Sequence, residues 1–160
     1  MVASKYVISA AHCFSQTSDD DGSITETPAS DVIVWIGDHD LQTSGETSLM
    51  EKQIAVVSLT LHENYTASPG PWDLAVVELA EAVDINTYTP ACLAKSTDAT
   101  TFDGKMATVV GWGITSQNGT LPDPLVPYEV QLRIVPCPVP HNPSDICAGG
   151  EEGKDSCQVK

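Results

Sequence analysis

Basic side chains are scarce in this 160-residue chain. Seven lysine and arginine residues stand against 22 aspartate and glutamate residues, which gives a net charge of −15 and a pI near 4.2. Nucleic-acid phosphates and anionic membrane surfaces attract clustered Lys and Arg, so this balance excludes both as partners. No apolar run approaches the ~20 residues that a membrane span needs. We therefore expect a soluble, acidic, globular protein.

A signal-peptide core and paired cysteine motifs are also missing. The first nine residues contain no apolar core of signal-peptide length. No Cys-x-x-Cys pair occurs among the five cysteines, Cys13, Cys92, Cys137, Cys147 and Cys157. The sequons at Asn64 and Asn118 would accept glycans only in a secretory compartment. An odd cysteine count in such a chain indicates a free thiol, an intermolecular bond or a missing partner.

Sustained helical periodicity is absent, and the recurring pattern is that of β-strands. Compact apolar runs, one alternating stretch and one less regular stretch predict strands at 32–36, 74–79, 108–110, 130–134 and 52–61. Only residues 9–14 suit a single helical turn, and residues 18–31 suit a solvated loop. Eleven glycines and eleven prolines punctuate the strands. Short strands with frequent turns predict an all-β barrel or sandwich.

Three motifs follow one another along the chain. They are Val-Ile-Ser-Ala-Ala-His-Cys at 7–13, Trp-Asp-Leu-Ala-Val-Val-Glu-Leu at 72–79, and Ile-Cys-Ala-Gly-Gly at 146–150, which Gly-Lys-Asp-Ser-Cys-Gln follows. With Gly-Trp-Gly at 111–113, they resemble the trypsin-like serine endopeptidases of the chymotrypsin fold. The resemblance implies an all-β, double six-stranded antiparallel barrel that is incomplete here. The first barrel would occupy about 1–95, and the second would begin at about 96 and run to 160.

The resemblance assigns roles to three residues. His12 corresponds to the general base, a role that suits imidazole because histidine side chains titrate near neutral pH. Asp73 corresponds to the carboxylate that fixes the imidazole tautomer and stabilises the imidazolium. Asp155 corresponds to the acidic base of the primary specificity pocket, which favours Arg or Lys before the scissile bond.

The resemblance also implies parts that these 160 residues do not contain. In the family, Asp-Ser-Cys-Gln continues into Gly-Asp-Ser-Gly-Gly, whose serine is the nucleophile and whose first glycine serves the oxyanion hole. Val159 and Lys160 stand there instead. The mature start of the family and the usual partner of Cys13 would lie before Met1. We expect truncation at both ends, with Cys13 and Cys157 lacking their usual partners and Cys137 joined to Cys147 across a short loop.

The expected function is that of a secreted, extracellular serine endopeptidase of the trypsin-like kind, cleaving after Arg or Lys by acyl transfer. Its partners would be polypeptide substrates or protease inhibitors, and no cofactor or metal is expected. Because the nucleophile is absent, we expect the chain as given to be inactive. The alternative is a non-catalytic homologue that acts as a binding or regulatory protein.

Two metal sites compete with this interpretation. A zinc module would use Cys137, His141, Cys147 and Cys157, although the tight Cys-x₂₋₄-Cys spacing of structural zinc sites is missing. A calcium loop would use Asp38, Asp40 and Glu46, but their register fits the family's loop poorly, so we expect an acidic solvated turn. No role is expected for three surface histidines, His39, His62 and His141.

Overall fold

A computed structural model describes residues 1–18, 20–66, 70–95, 102–114, 119–137 and 146–150 of the chain. The regular secondary structure of the described part is mainly short strands, with two 3₁₀ turns at Ala11–Phe14 and Ala29–Asp31. Its strands are β1 Tyr6–Ser9, β2 Ser15–Thr17, β3 Ile24–Glu26, β4 Ile33–Ile36, β5 Lys52–Leu61, β6 Ala75–Leu79, β7 Met106–Gly111, β8 Tyr128–Val135 and β9 Cys147–Ala148. The predicted all-β class is confirmed.

The five predicted strands match β4, β5, β6, β7 and β8 to within two residues at either end, whereas β1, β2, β3 and β9 were not predicted. The stretch 52–61 is a strand over its full predicted length, and the turn predicted at 9–14 is the 3₁₀ turn at Ala11–Phe14. The interval 18–31 was predicted as loop throughout, but it contains β3. Gly22, with a φ of 70°, allows the chain to reverse so that β3 pairs with β2. Hydrogen bonding between these two strands outweighs the polar composition.

Chain contacts divide the protein into two compact units. The first unit comprises 1–37 and 51–93. Its antiparallel sheet has the strand order β1-β6-β5-β4. The β2-β3 hairpin follows β1 in sequence and forms a separate two-stranded sheet. Along β5 and β6 alternate residues are buried, so one face of the sheet packs into the core and the other faces water. The centre of this core is Ile54, Leu79 and Val83.

The second unit comprises 38–50 and 94–160. Its described sheet has the order β7-β8-β9, all antiparallel, and Leu132 on β8 is its buried side chain. The segment 38–50 joins this unit through the backbone N–H of Leu41, which donates to the Leu125 carbonyl over 3.1 Å. No helix in the described part of the chain is long and apolar enough to cross a membrane.

Candidate active site

Strand register in the first unit brings the two ends of the candidate site together. β1 and β6 are antiparallel, and Ser9, the last residue of β1, pairs with Ala75, the first residue of β6. The chain leaving β1 and the chain entering β6 therefore lie at the same edge of the sheet. His12 follows that edge by three residues and Asp73 precedes it by two, so residues 61 positions apart become neighbours.

His12 lies on the 3₁₀ turn that follows β1. Ala11, the first residue of this turn, is fully buried, and the Cys13 N–H closes the turn by donating to the Ala10 carbonyl over 3.3 Å. A larger side chain at a fully buried position would have to displace the atoms packed around it. The turn thereby fixes the backbone of His12 while its imidazole stays partly exposed.

Asp73 contacts His12 through both carboxylate oxygens. Oδ2 lies 2.6 Å from His12 Nδ1, and Oδ1 accepts the His12 backbone N–H over 2.9 Å. When the ring donates from Nδ1 to this carboxylate, the lone pair of a neutral imidazole lies on Nε2. His12 Nε2 also lies 3.8 Å from the Cys13 thiol. The arrangement can therefore present a basic nitrogen to a proton donor in solvent.

The electrostatics of Asp73 follow from the same contacts. Partial burial acts to raise the pKa of the carboxyl group, because burial disfavours the charged form. Hydrogen bonds from the His12 ring and backbone, together with attraction to the imidazolium, lower this pKa by more. The net pKa of Asp73 lies below its ordinary value of 3.8. Asp73 is thus an ionised carboxylate at neutral pH.

Three of the remaining candidate residues fall outside the part of the chain that the structure describes. Asp155 and Cys157 lie outside the described residues, as does His141. Cys137 and Cys147 form a disulfide bond beside the β8-β9 pairing. Among the described residues, Cys13 and Cys92 are free and exposed.

The disulfide overturns the zinc alternative. A zinc site needs cysteine as thiolate, and a disulfide offers no thiolate. With Cys137 and Cys147 bonded to each other, two of the four suggested ligands are removed.

The acidic turn after β4 is organised differently from the suggested calcium loop. The Glu46 carboxylate accepts the backbone N–H groups of His39 and Asp40, at 3.1 and 2.8 Å. Asp40 accepts hydrogen bonds within its own turn instead of facing the other carboxylates. Ligand oxygens of Asp38 and Glu46 lie within 4.8 Å of each other, and Asp38 Oδ1 is buried without a hydrogen-bond partner in the described chain. Carboxylate oxygens are the ligands that a hard cation prefers, so this pair could supply part of such a site.

His62, for which no role was expected, contacts the turn that carries Asp73. Its ring stacks on the Trp72 indole with centroids 4.8 Å apart and planes 11° from parallel. Its backbone N–H donates to the Leu74 carbonyl over 2.9 Å. Periodicity carries no signal for such a contact. The only hint in the sequence is an aromatic residue directly before Asp73.

Comparison with known proteins gives the family. The trypsin family model matches residues 1–159. Serine protease SSP1 of Scolopendra subspinipes is 36% identical over 98% of this chain and 52% of its own length. Phenoloxidase-activating factor 3 of Holotrichia diomphalia is 31% identical over 99% of the chain and 47% of its own.

A third relative is named as an inhibitor. Glucanase inhibitor protein 1 of Phytophthora sojae is 30% identical over 66% of the chain and 40% of its own length.

The chain spans about half the length of SSP1 and of phenoloxidase-activating factor 3. The match along nearly the whole chain and the strand-rich architecture lead to one conclusion. The chain belongs to the trypsin family of serine proteases and has their chymotrypsin-like, all-β fold.

Proposed function

We propose that the chain carries the His–Asp part of the catalytic machinery of a trypsin-like serine endopeptidase. The observation that carries the proposal is the double contact of Asp73 with His12, which leaves Nε2 of the ring as the basic atom. A general base needs a fixed ring, a defined tautomer and an accessible nitrogen. These three requirements are met by the turn at His12, the carboxylate of Asp73 and the exposure of the imidazole.

The reaction would proceed by acyl transfer. The oxygen of a serine attacks the carbonyl carbon of the scissile bond while His12 Nε2 takes the serine proton. His12 then gives that proton to the leaving amine, and water releases the acyl group by the reverse sequence. Asp73 stays ionised throughout and stabilises the imidazolium, for which its lowered pKa suits it.

The specificity proposal rests on the sequence motif alone. Asp155 occupies the motif position of an acidic specificity pocket and lies outside the described residues. A carboxylate enclosed by such a pocket pairs with the guanidinium or ammonium group of a substrate. We therefore assign Arg or Lys to the position before the scissile bond, and polypeptides as the substrate class.

We further propose that the 160 residues by themselves do not catalyse hydrolysis. No Gly-Asp-Ser-Gly or Gly-x-Ser-x-Gly motif occurs in the sequence, so His12 has no serine of the family type to activate. Val159 and Lys160 depart from the family motif at the two positions directly before the one that the nucleophilic serine would occupy. The serine and the oxyanion hole would come from sequence outside these residues.

An extracellular location is part of the proposal. The Cys137–Cys147 disulfide forms and persists in oxidising compartments. The Asn64 sequon is exposed at a turn, where a glycan could be attached. By the family resemblance we assign about 1–95 to the first barrel of the fold and about 96–160 to the beginning of the second, although the segment 38–50 has its contacts in the second compact unit.

The test begins with the natural protein. Its intact mass and C-terminal sequence are expected to show a chain that continues past Gln158 into Gly-Asp-Ser-Gly. That full-length protein is expected to hydrolyse an arginine ester, and His12→Ala is expected to lower kcat by roughly 10⁶-fold. His39→Ala is the matched control and should leave kcat unchanged, because none of the described contacts of His12 and Asp73 involves the His39 side chain.

Two results would contradict the proposal. Arginine-ester turnover that survives His12→Ala would remove His12 as the base. Turnover by the 160-residue chain that disappears on His12→Ala would show that the chain is active and that its nucleophile lies elsewhere in it.

The second candidate function is a non-catalytic binding protein, favoured by the similarity to glucanase inhibitor protein 1. Such a protein would keep a substrate-like surface and bind a partner without cleaving it. A natural mass equal to residues 1–160, allowing for glycans, would favour it. Thiol counting separates the two cases further, because three reactive thiols indicate a fragment, whereas none indicates an oligomer joined through its cysteines.

A further inference from the structure

We propose that His62 is a positioning residue that holds Asp73 against His12 by anchoring both ends of the turn Trp72–Leu74. The inference rests on the proposed function, because the position of Asp73 matters for catalysis only if His12 is the base. It adds a residue outside the His–Asp pair.

The first anchor is a backbone hydrogen bond at the C-terminal end of the turn. Leu61, the last residue of β5, pairs with Ala75, the first residue of β6. One step further, the His62 N–H donates to the Leu74 carbonyl over 2.9 Å. The β5-β6 ladder therefore extends past the sheet and fixes the residue that directly follows Asp73.

The second anchor is the ring stack at the N-terminal end of the turn. Trp72 has a φ of 63°, a backbone conformation that a bulky side chain adopts only when its surroundings hold it there. The His62 imidazole lies flat against the Trp72 indole, with 4.8 Å between centroids. The Leu74 N–H closes the turn on the Trp72 carbonyl over 2.7 Å. Asp73 thus lies between two residues that His62 holds.

His62 is itself fixed in orientation. Its ring Nδ1 accepts the Asn64 N–H over 3.2 Å, and its carbonyl accepts the Tyr65 N–H over 2.9 Å. These bonds make a tight turn, and the Nδ1 bond sets the plane of the imidazole on which Trp72 stacks. The stack is therefore built on a ring that has little freedom to rotate.

The contacts close into a circuit that returns to the His12 turn. Tyr65 is buried, and its hydroxyl lies 3.0 Å from the hydroxyl of Ser15. Ser15 directly follows the 3₁₀ turn that carries His12. Starting from His62, the contacts lead through Trp72 to Asp73 and His12, and through Tyr65 and Ser15 back to the same turn. His62 is thereby connected through these contacts to both members of the His–Asp pair.

The test measures the contact between Asp73 and His12 directly, without substrate. NMR of the 160-residue chain follows the Nδ1 proton of His12 and the ¹³C titration of the Asp73 carboxyl. His62→Asn removes the ring but supplies an amide oxygen that can still accept the Asn64 N–H. It is expected to abolish the Nδ1 proton signal by faster exchange and to raise the Asp73 pKa toward its ordinary 3.8. His62→Phe keeps a flat ring and should preserve most of both signals.

The controls separate positioning from folding. His39→Asn makes the same substitution at a histidine outside the described contacts of His62, Trp72 and Asp73, and it should change neither signal. Trp72→Gly removes the indole, and glycine tolerates the φ of 63°. This variant should also lose the His12 Nδ1 proton signal, and it tests the proposal independently if His62→Asn folds poorly. Unchanged signals in folded His62→Asn or in Trp72→Gly would overturn the proposal. Failure of the proposed function would appear separately, as hydrolysis that does not depend on His12.

Discussion

Asp73 is bound to the ring and to the backbone of the same residue, with Oδ2 2.6 Å from His12 Nδ1 and Oδ1 2.9 Å from its backbone nitrogen. The ring contact sets the tautomer of the imidazole, and the backbone contact sets the position of the turn. The pair is partly exposed on both sides, so its contribution to folding is of the order of 1 kcal/mol or less. Its importance is therefore expected to lie in catalysis more than in stability.

The substitution Asp73→Asn separates these two effects. Asparagine keeps the shape of the side chain but lacks the charge, and its amide can hold the imidazole in the other tautomer. In the full-length protein we expect kcat to fall by about 10⁴-fold while the free energy of unfolding changes by less than ~1 kcal/mol. Asp103→Asn on an exposed turn is the control and should leave both quantities unchanged. Full activity with asparagine at position 73 would contradict the assignment.

Acid is expected to weaken the fold through Asp73 and Asp84. The pKa of Asp84 is lowered by hydrogen bonds from the Thr87 hydroxyl and the Asn86 backbone, and that of Asp73 is lowered by His12. A carboxyl whose pKa is lower in the folded state stabilises the fold fully above its unfolded pKa, near 3.9. That stability is lost as pH falls through the lower folded pKa. Urea unfolding at pH 6 and at pH 3 should give the lower free energy of unfolding at pH 3.

The double variant Asp73→Asn/Asp84→Asn provides the control for this pH dependence. Its free energy of unfolding should change less between pH 6 and pH 3 than that of the wild-type chain. An equal change in both proteins would assign the acid sensitivity to other carboxylates.

The same substitution on opposite faces of the first-unit sheet should have very different costs. Ile54 on β5 is 1% exposed and belongs to the core, whereas Ile33 on β4 is 55% exposed. Ile54→Ala leaves a cavity and is expected to cost about 2–5 kcal/mol. Ile33→Ala should change stability by no more than about 0.5 kcal/mol. Denaturant titration of both variants checks this, and equal costs would mean that the β4-β5 faces are assigned wrongly.

Removing the disulfide should loosen the end of the second-unit sheet. The Cys137–Cys147 bond lies next to β9, whose pairing with β8 is extended by the Gly149 N–H donating to Arg133 over 2.9 Å. For a loop of this size the bond is worth about 3 kcal/mol. Cys137→Ser/Cys147→Ser should accelerate hydrogen exchange at Gly149. Cys92→Ser, which removes a free exposed thiol, should not.

Much of the secondary structure follows from local pattern. The stretch 52–61 is dense in apolar residues although its alternation is less regular. That density is a local property, so the bounds of β5 could be predicted, and the strand buries Ile54 and Val56 on one side. β3 could not, since its short polar sequence becomes a strand only by pairing with β2. The apolar run 32–36 predicted the strand β4 but not the exposure of Ile33 and Trp35 on it. Burial depends on which faces of the sheet other elements cover, and local sequence does not contain that information.

The candidate site likewise has residues that the sequence predicts and one that it does not. His12 and Asp73 stand in motifs, and the antiparallel register of β1 and β6 explains how residues so distant in sequence meet. His62 has no motif of its own. Its stacking on Trp72 depends on the path of the chain between β5 and β6, which no pattern in the sequence encodes.

The exposure of the tryptophans has an optical consequence. Trp35, Trp72 and Trp112 are 54%, 44% and 37% exposed, and they are all the tryptophans of the chain. Each indole is therefore already partly in contact with water, and water shifts indole emission to longer wavelength. Unfolding should move the emission maximum less than it would for buried indoles. Loss of the ordered strands would instead be visible in the far-ultraviolet circular dichroism.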